Sequence, residues 1–291
     1  AADLLIGNLE TTLAGPKSGY TGYPLFNAPE VLAVNLKEAG FDVLTTANNH
    51  SLDRGVDGIL STIRYLDEAE LLHTGTFATK EEQKKPLFTE VKGCRIAILA
   101  YTYGLNGLVL PKNTPVAVNM LDPLQIKNDI AVAKSEGAQL VLVALHFGEE
   151  YRATPTQAQI QLAQEVLQAG ADVIIGHHPH VLEPVVFYNQ TVEKNKLISY
   201  SLGNFVSGQI GIERNTSIIL NLHFTLDPET KEAHLEMASY IPVWTHRYNV
   251  NSRPAFRVVP IEAALVSVRT GRNDHFTDSD VKKLEQAWKH A

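Results

Sequence analysis

The chain has 291 residues and a single cysteine, Cys94, so no disulfide forms within it. That thiol sits in the apolar run "CRIAILAY", reads as a small core residue, and leaves the cellular compartment undecided. No apolar run approaches the ~18–20 residues of a membrane-spanning helix. Basic residues are in deficit, with 25 Lys and Arg against 32 Asp and Glu, for a formal net charge of −7. No nucleic-acid partner is expected, since that function needs a basic face. Any anionic substrate must be drawn by a local feature, such as a metal or a few Arg and Lys, and not by the overall field. No strand is followed by a glycine-rich phosphate loop of the Walker or dinucleotide type, which disfavours a plain nucleotide-binding domain. No Gly-x-Ser-x-Gly elbow appears, which disfavours a serine hydrolase. No signal peptide is visible, and the sequence does not open on Met. The opening "AADLLIGN" reads as a strand already under way, so a further segment is expected upstream.

What is present is a core. Apolar residues make up 44% of the chain, enough for one large domain or a domain with an appendage. The first part alternates strand, loop and helix. A short strand is expected in "ADLLIG" and a long loop over 11–26. A helix then follows with Asn27 as cap, Pro29 in its first turn and Gly40 as stop. "FDVLTTA" reads as a buried strand. "RGVDGILSTIRYLDEAE" places Val56, Ile59, Leu60, Ile63 and Leu66 on one helical face. Two strands flank Lys92-Gly93. Helices begin at Asp122-Pro123 and Thr154-Pro155, end at Gly137 and Gly170, and lead into the buried strands "QLVLVAL" and "DVIIG". From about residue 181 strands follow one another without helices, joined by turns at Asn189-Gln190 and Asp227-Pro228, before a terminal amphipathic helix. Residues 1–250 are expected to form the main domain and 251–291 a strand-and-helix appendage packed on it. An α/β part with an antiparallel addition fits a β-sandwich with helices outside.

Ligands in α/β sheets bind beyond the carboxyl ends of the strands. Four consecutive core strands end in metal-capable or acid–base residues. The endings are Gly7-Asn8-Leu9-Glu10, Asn48-Asn49-His50, His146-Phe147-Gly148-Glu149-Glu150 and His177-His178-Pro179-His180. His, Asn and Glu are poor core residues and need partners when buried, so packing does not explain four such endings. Imidazole suits Zn, Fe, Mn or Ni, while carboxylate and amide oxygens suit harder divalent ions. His178 and His180, one residue apart in extended chain, would aim both rings at one face, with His177 pointing away as a structural or supporting residue. Structural readings stand beside these. Singly, Asn8, Asn48 and Asn49 suit turns, Glu149 and Glu150 suit solvent, and His73 suits a structural role. His223, His234, His246, His275 and His290 suit ordinary surface positions.

Taken in order, "GNLETTL", "GFDVLTTANNHSLDRG", "HFGEEY", "GADVIIGHHPHVLEP" and "SYSLGNFVSG" resemble the poly-γ-glutamate capsule-synthesis proteins of the CapA type, a branch of the calcineurin-like metallophosphoesterases. The matching pieces run from residue 7 to residue 208. The resemblance implies a four-layer αββα sandwich of the calcineurin-like metallophosphoesterase type, with a metal site across the strand ends. It implies metal ligands at Glu10, Asn49, His146, His178 and His180. His50 would be the general acid, with Arg54 and Glu149 as further catalytic candidates and Asn8, Asn48, Arg152 and Asn204 lining the substrate. Asn8 stands where the superfamily has a metal-bridging Asp, so Glu10 is expected to supply the charge. One divalent ion (Mn, Zn or Fe) fits this set better than two. The family's first ligand, on a Gly-Asp strand end, is expected upstream of this chain.

Two functions follow from the resemblance. One is a metal-dependent hydrolase acting on a phosphoester or on poly-γ-glutamate. The other is a non-catalytic binding or anchoring component of polymer export that uses the same groove. Both imply partnership with membrane-embedded synthesis or export proteins. Both also imply an extracytoplasmic place at the bacterial cell surface, held by a membrane anchor outside this chain.

Overall fold

The computed structural model describes residues 2–191, 194–272 and 276–291, so His275 lies outside the described residues. The chain divides into two compact units. The first comprises Ala1–Phe147, Gln161–Ile174 and Leu226–Ala233; the second comprises Gly148–Ile160, Ile175–Thr225 and His234–Ala291.

In the first unit, three short strands form a parallel sheet in the order Ile6–Asn8, Val43–Thr45, Leu72–Thr74, with Asn8 opposite Thr45. Leu87–Val91, Cys94–Thr102, Leu140–His146 and the start of Val173–His177 lie side by side in that order. All seven residues of Leu140–His146 are buried, as the continuous apolar run of a parallel interior strand requires. The register sets Thr102 opposite His146. Lys92 and Gly93 form the expected hairpin turn with φ of 49° and 80°, the primed geometry that matches strand twist. Cys94 is half-buried at the strand's first residue, not a core thiol.

The helix Gly55–Glu68 buries Gly58, Ile59, Thr62, Ile63 and Leu66. Leu60, expected on that face, is exposed, because it falls one residue round from the 59, 62, 63, 66 stripe. Asp122 caps Pro123–Ser135 by accepting from Leu124 N and Gln125 N, as the sequence predicts. Asn27 does not cap the next helix, which spans Val31–Glu38. Its amide is buried instead and ties down the preceding loop, accepting from Ala14 N at 2.7 Å and donating to Gly19 O at 2.8 Å and Gly15 O at 3.1 Å. A cap must lie at the helix mouth; Asn27 is four residues before Val31.

In the second unit the end of Val173–His177, Lys194–Leu202 and Leu182–Thr191 lie in that order, the last two antiparallel. The turn expected at Asn189-Gln190 is strand; pairing runs on to Thr191 opposite Lys194 across a bulge. Thr216–Leu226, Ala233–Val250 and Arg253–Pro260 form a further sheet. Trp244 and Val259 pack there with Leu265 of the helix Ile261–Arg269 and Leu284 of the helix Asp278–His290. His246 is no surface residue. It is buried between the rings of Trp244 and Tyr248, with Asp280 at 3.5 Å and the Arg257 Nε–H donating to its Nδ1 at 3.0 Å. Strand alternation puts 244, 246 and 248 on one face, and the aromatics on either side leave the imidazole no path to solvent.

Among the described residues no helix is long and apolar enough to cross a membrane.

Candidate functional site

In the first unit, the ends of two adjacent parallel strands are knotted together. Asn48 Nδ2 donates to Leu9 O at 2.8 Å, and Asn48 Oδ1 accepts from His50 N at 3.1 Å. Asn8 Nδ2 donates to Glu10 Oε2 at 3.2 Å. These bonds set the turn that presents Asn49 and His50. Asn49 is buried, and its Oδ1 lies 2.9 Å from His146 Nε2. His146 Nε2 lies 3.7 Å from Glu10 Oε1, and its ring stacks with Tyr103 at 6.4 Å and an interplanar angle of 7°. Three expected ligands from three strand ends are thus gathered within one unit.

His50 belongs to a separate pair. Its Nδ1 is 2.7 Å from Asp53 Oδ2, and the same oxygen accepts from Phe26 N at 2.7 Å. The Phe26 ring meets the imidazole edge-on at 4.4 Å. Asp53 was legible in "HSLD" as a carboxylate one helical turn after His50, yet the sequence reading passed over it. Arg54 donates to Leu25 O at 3.1 Å and to Thr21 Oγ1, so its guanidinium is engaged by the loop beside it.

In the second unit, His178 and His180 do not use extended-chain alternation. Both have left-handed backbones, with φ of 102° and 61°, and their ring centroids lie 6.0 Å apart. Such conformations are unfavourable for non-glycine residues and concentrate at functional sites. His180 Nδ1 lies 2.9 Å from Asn204 Oδ1, a contact that fixes the orientation of the ring. Asn204 in turn donates to Gln209 Oε1 at 3.1 Å and Arg214 O at 3.0 Å. Tyr151 stacks on His180 at 5.9 Å. Desolvation pushes His177 down to about 4, so this imidazole is neutral at pH 7. Glu149 and Arg152 form an exposed ion pair at 3.0 Å. Glu183 is buried; desolvation pushes it up to about 7, against the lowering effect of the Gln159 amide and the Arg152 charge.

Within the first unit, the Glu10 carboxylate and the His146 imidazole stand 3.7 Å apart, and both are groups able to ligate a metal ion. This chemistry suits a divalent cation: a carboxylate for charge and an imidazole for borderline metals, with the Asn49 amide oxygen beside His146.

Comparison with known proteins agrees with this geometry. The model of the family described as bacterial capsule synthesis protein PGA_cap matches residues 1–209. The chain belongs to this family. That match contains every residue named in this subsection except Arg214. A "PGA biosynthesis protein CapA" of Bacillus subtilis is 37% identical over 231 residues, covering 77% of this chain and 58% of that protein. A "Capsule biosynthesis protein CapA" of Bacillus anthracis is 37% identical over 201 residues, covering 68% and 47%. The chain spans about half the length of these curated relatives. The NAD nucleotidase structure of Haemophilus influenzae aligns with a TM-score of 0.50 at 16% identity, over 89% of this chain and 52% of that one. The fold is mixed α/β with several sheets, and it is shared with that nucleotidase structure.

Proposed function

We propose that the protein serves in poly-γ-glutamate capsule biosynthesis or export at the bacterial cell surface, through a metal-dependent, hydrolase-like site at its strand ends. The observation that carries this reading is the gathering of Glu10, Asn49 and His146 at the strand ends of the first unit, in a member of the capsule-synthesis family. His178 and His180 of the second unit are proposed to complete the ligands.

A divalent cation held there supplies a Lewis acid that polarises a phosphoryl or acyl oxygen and makes water a better nucleophile near neutral pH. The chain's own residues do the rest. Glu10 supplies the negative charge that the amide of Asn8 does not. With its Nδ1–H donated to Asp53, His50 exchanges protons through Nε2, where a leaving group would receive one. Asp53 holds that ring in its tautomer while Phe26 blocks its edge from tilting. Asn204 does the same for His180, leaving Nε2 toward the cation. Asn8, Asn48, Arg54, Glu149 and Arg152 are proposed as the surrounding polar wall. Among substrates of this chemistry, the relatives' description as capsule and PGA biosynthesis proteins favours the amide backbone or a phosphoester precursor of an anionic polymer.

The test is metal analysis of the purified protein, followed by turnover assays on poly-γ-glutamate and on phosphoesters with and without chelator. Chelator-sensitive turnover is expected, abolished by His178→Ala while the thermal transition persists. Polymer binding without any turnover overturns the hydrolase reading in favour of a gripping role.

A further inference from the structure

We infer that Asn106, on the loop after the strand Cys94–Thr102, is a positioning residue that fixes which end of the Asn49 amide faces the cation. The inference rests on the metal reading above. An amide's oxygen can ligate a cation, whereas its NH2 has no lone pair to give. A half-turn about the last side-chain bond exchanges the two with almost no change of shape. Asn49 is 2% exposed, so water does not decide the matter. Its amide makes two contacts: Nδ2 donates to Asn106 Oδ1 at 3.1 Å, and Oδ1 lies 2.9 Å from His146 Nε2. The acceptor on Asn106 holds the NH2 end and so turns the oxygen toward the ligand histidine.

The loop is built to hold that acceptor in place. Leu105 is buried with Leu52, Ile59 and Ile63 and anchors the chain one residue before. Leu108 N donates to Leu105 O at 2.9 Å, closing a turn around Asn106 and Gly107 with φ of 50° and 77°. Asn and Gly are the residues that accept this left-handed pair of conformations. Tyr103 of the same loop stacks on His146, so one connection touches two of the proposed ligands.

The test is a Mn2+ titration of the full chain, read by calorimetry. Asn106→Gly keeps the left-handed backbone without strain and removes only the acceptor; Asn106→Asp keeps both. Asn106→Gly should bind Mn2+ about tenfold more weakly, the size of effect typical when a ligand loses its supporting partner. Asn106→Asp should bind at least as tightly as the parent. In an Asn49→Asp background the two oxygens are alike and orientation no longer matters, so Asn106→Gly should change affinity less than twofold. Equal affinity of parent and Asn106→Gly overturns the inference alone. So does an equal loss with Asn106→Gly in both backgrounds, which marks general loosening of the loop. A parent chain that takes up no Mn2+ overturns the metal reading and this inference with it.

Discussion

Replacing Asp53 tests whether the His50 pair is a built device or an incidental contact. The carboxylate has no exposed side-chain surface and its Oδ2 accepts two hydrogen bonds, each 2.7 Å long, from His50 Nδ1–H and Phe26 N–H. A hydrogen bond to a charged group contributes about 1.5–3 kcal/mol. Asp53→Ala removes both and leaves two buried donors unmet, so a loss of about 3–6 kcal/mol is expected. Against a total stability of roughly 5–15 kcal/mol for a native protein, that is a large fraction. Asp53→Asn keeps one oxygen but loses the charge, which about halves each bond, so a loss of about 1.5–3 kcal/mol follows. Urea unfolding gives both numbers from the shift in midpoint at constant slope. The same pair of variants separates support from chemistry. Asp53→Asn should leave Mn2+ affinity within twofold while lowering turnover by about 10²-fold, the low end for a misdirected acid–base group. An Asp53→Ala variant that unfolds at the parent's midpoint, or an Asp53→Asn variant with full turnover, refutes the argument.

Three further outcomes follow from other parts of the molecule. Glu183 binds its proton more tightly folded than unfolded, so its contribution to stability is fully present below about pH 4.5 and is lost as pH rises through about 7. Glu183→Gln, whose carbonyl still accepts from Gln159, should flatten that part of the melting-temperature profile; an unchanged slope between pH 5 and 8 counts against it. Gly75 has φ of 107°, and a Cβ there would stand 2.6 Å from the backbone nitrogen of Ala47. Steric overlap and backbone strain together should make Gly75→Ala cost about 2–6 kcal/mol, read by denaturant unfolding. Asn27→Ala breaks three hydrogen bonds of a buried amide and should free the 14–19 loop, seen as faster backbone amide exchange there and a loss of about 2–4 kcal/mol. Exchange at the parent's rate would show that the loop holds itself.

The elements were legible wherever a local rule decides them. The buried run of Leu140–His146, the Asp122 cap and the Lys92-Gly93 hairpin each follow from a few adjacent residues. The failures came where a distant segment overrode local preference. Asn27 looks like a cap, but its amide satisfies a backbone loop eight to thirteen residues earlier. His246 looks like a surface residue because nothing near it in sequence announces Trp244 stacking or the Asp280 carboxylate of the last helix. The turn at Asn189-Gln190 failed because a bulge carried the pairing two residues further than composition suggested.

The same division explains what was visible at the site. Ligand candidates stand at strand ends, where sequence periodicity itself marks the boundary, so Glu10, Asn49, His146, His178 and His180 could be named before any coordinates. What orients them could not, because an orienting contact is a relation between segments. Asn106 lies 57 positions from Asn49, and Asn204 lies 24 from His180; neither spacing has a periodic signature. Asp53 is the informative exception, only three residues from His50, and it was missed because a carboxylate at a helix entrance already has an ordinary explanation. The backbone of "HHPH" carries the same lesson in a different form. Two left-handed histidines flanking Pro179 are locally unfavourable, so only the rest of the fold can hold them there, through Asn204 on His180 and the Tyr151 N–H on Pro179 O at 2.8 Å. A histidine kept in a strained conformation by two separate supports is arranged for a task other than packing, which is the support that this backbone lends to the proposed metal role.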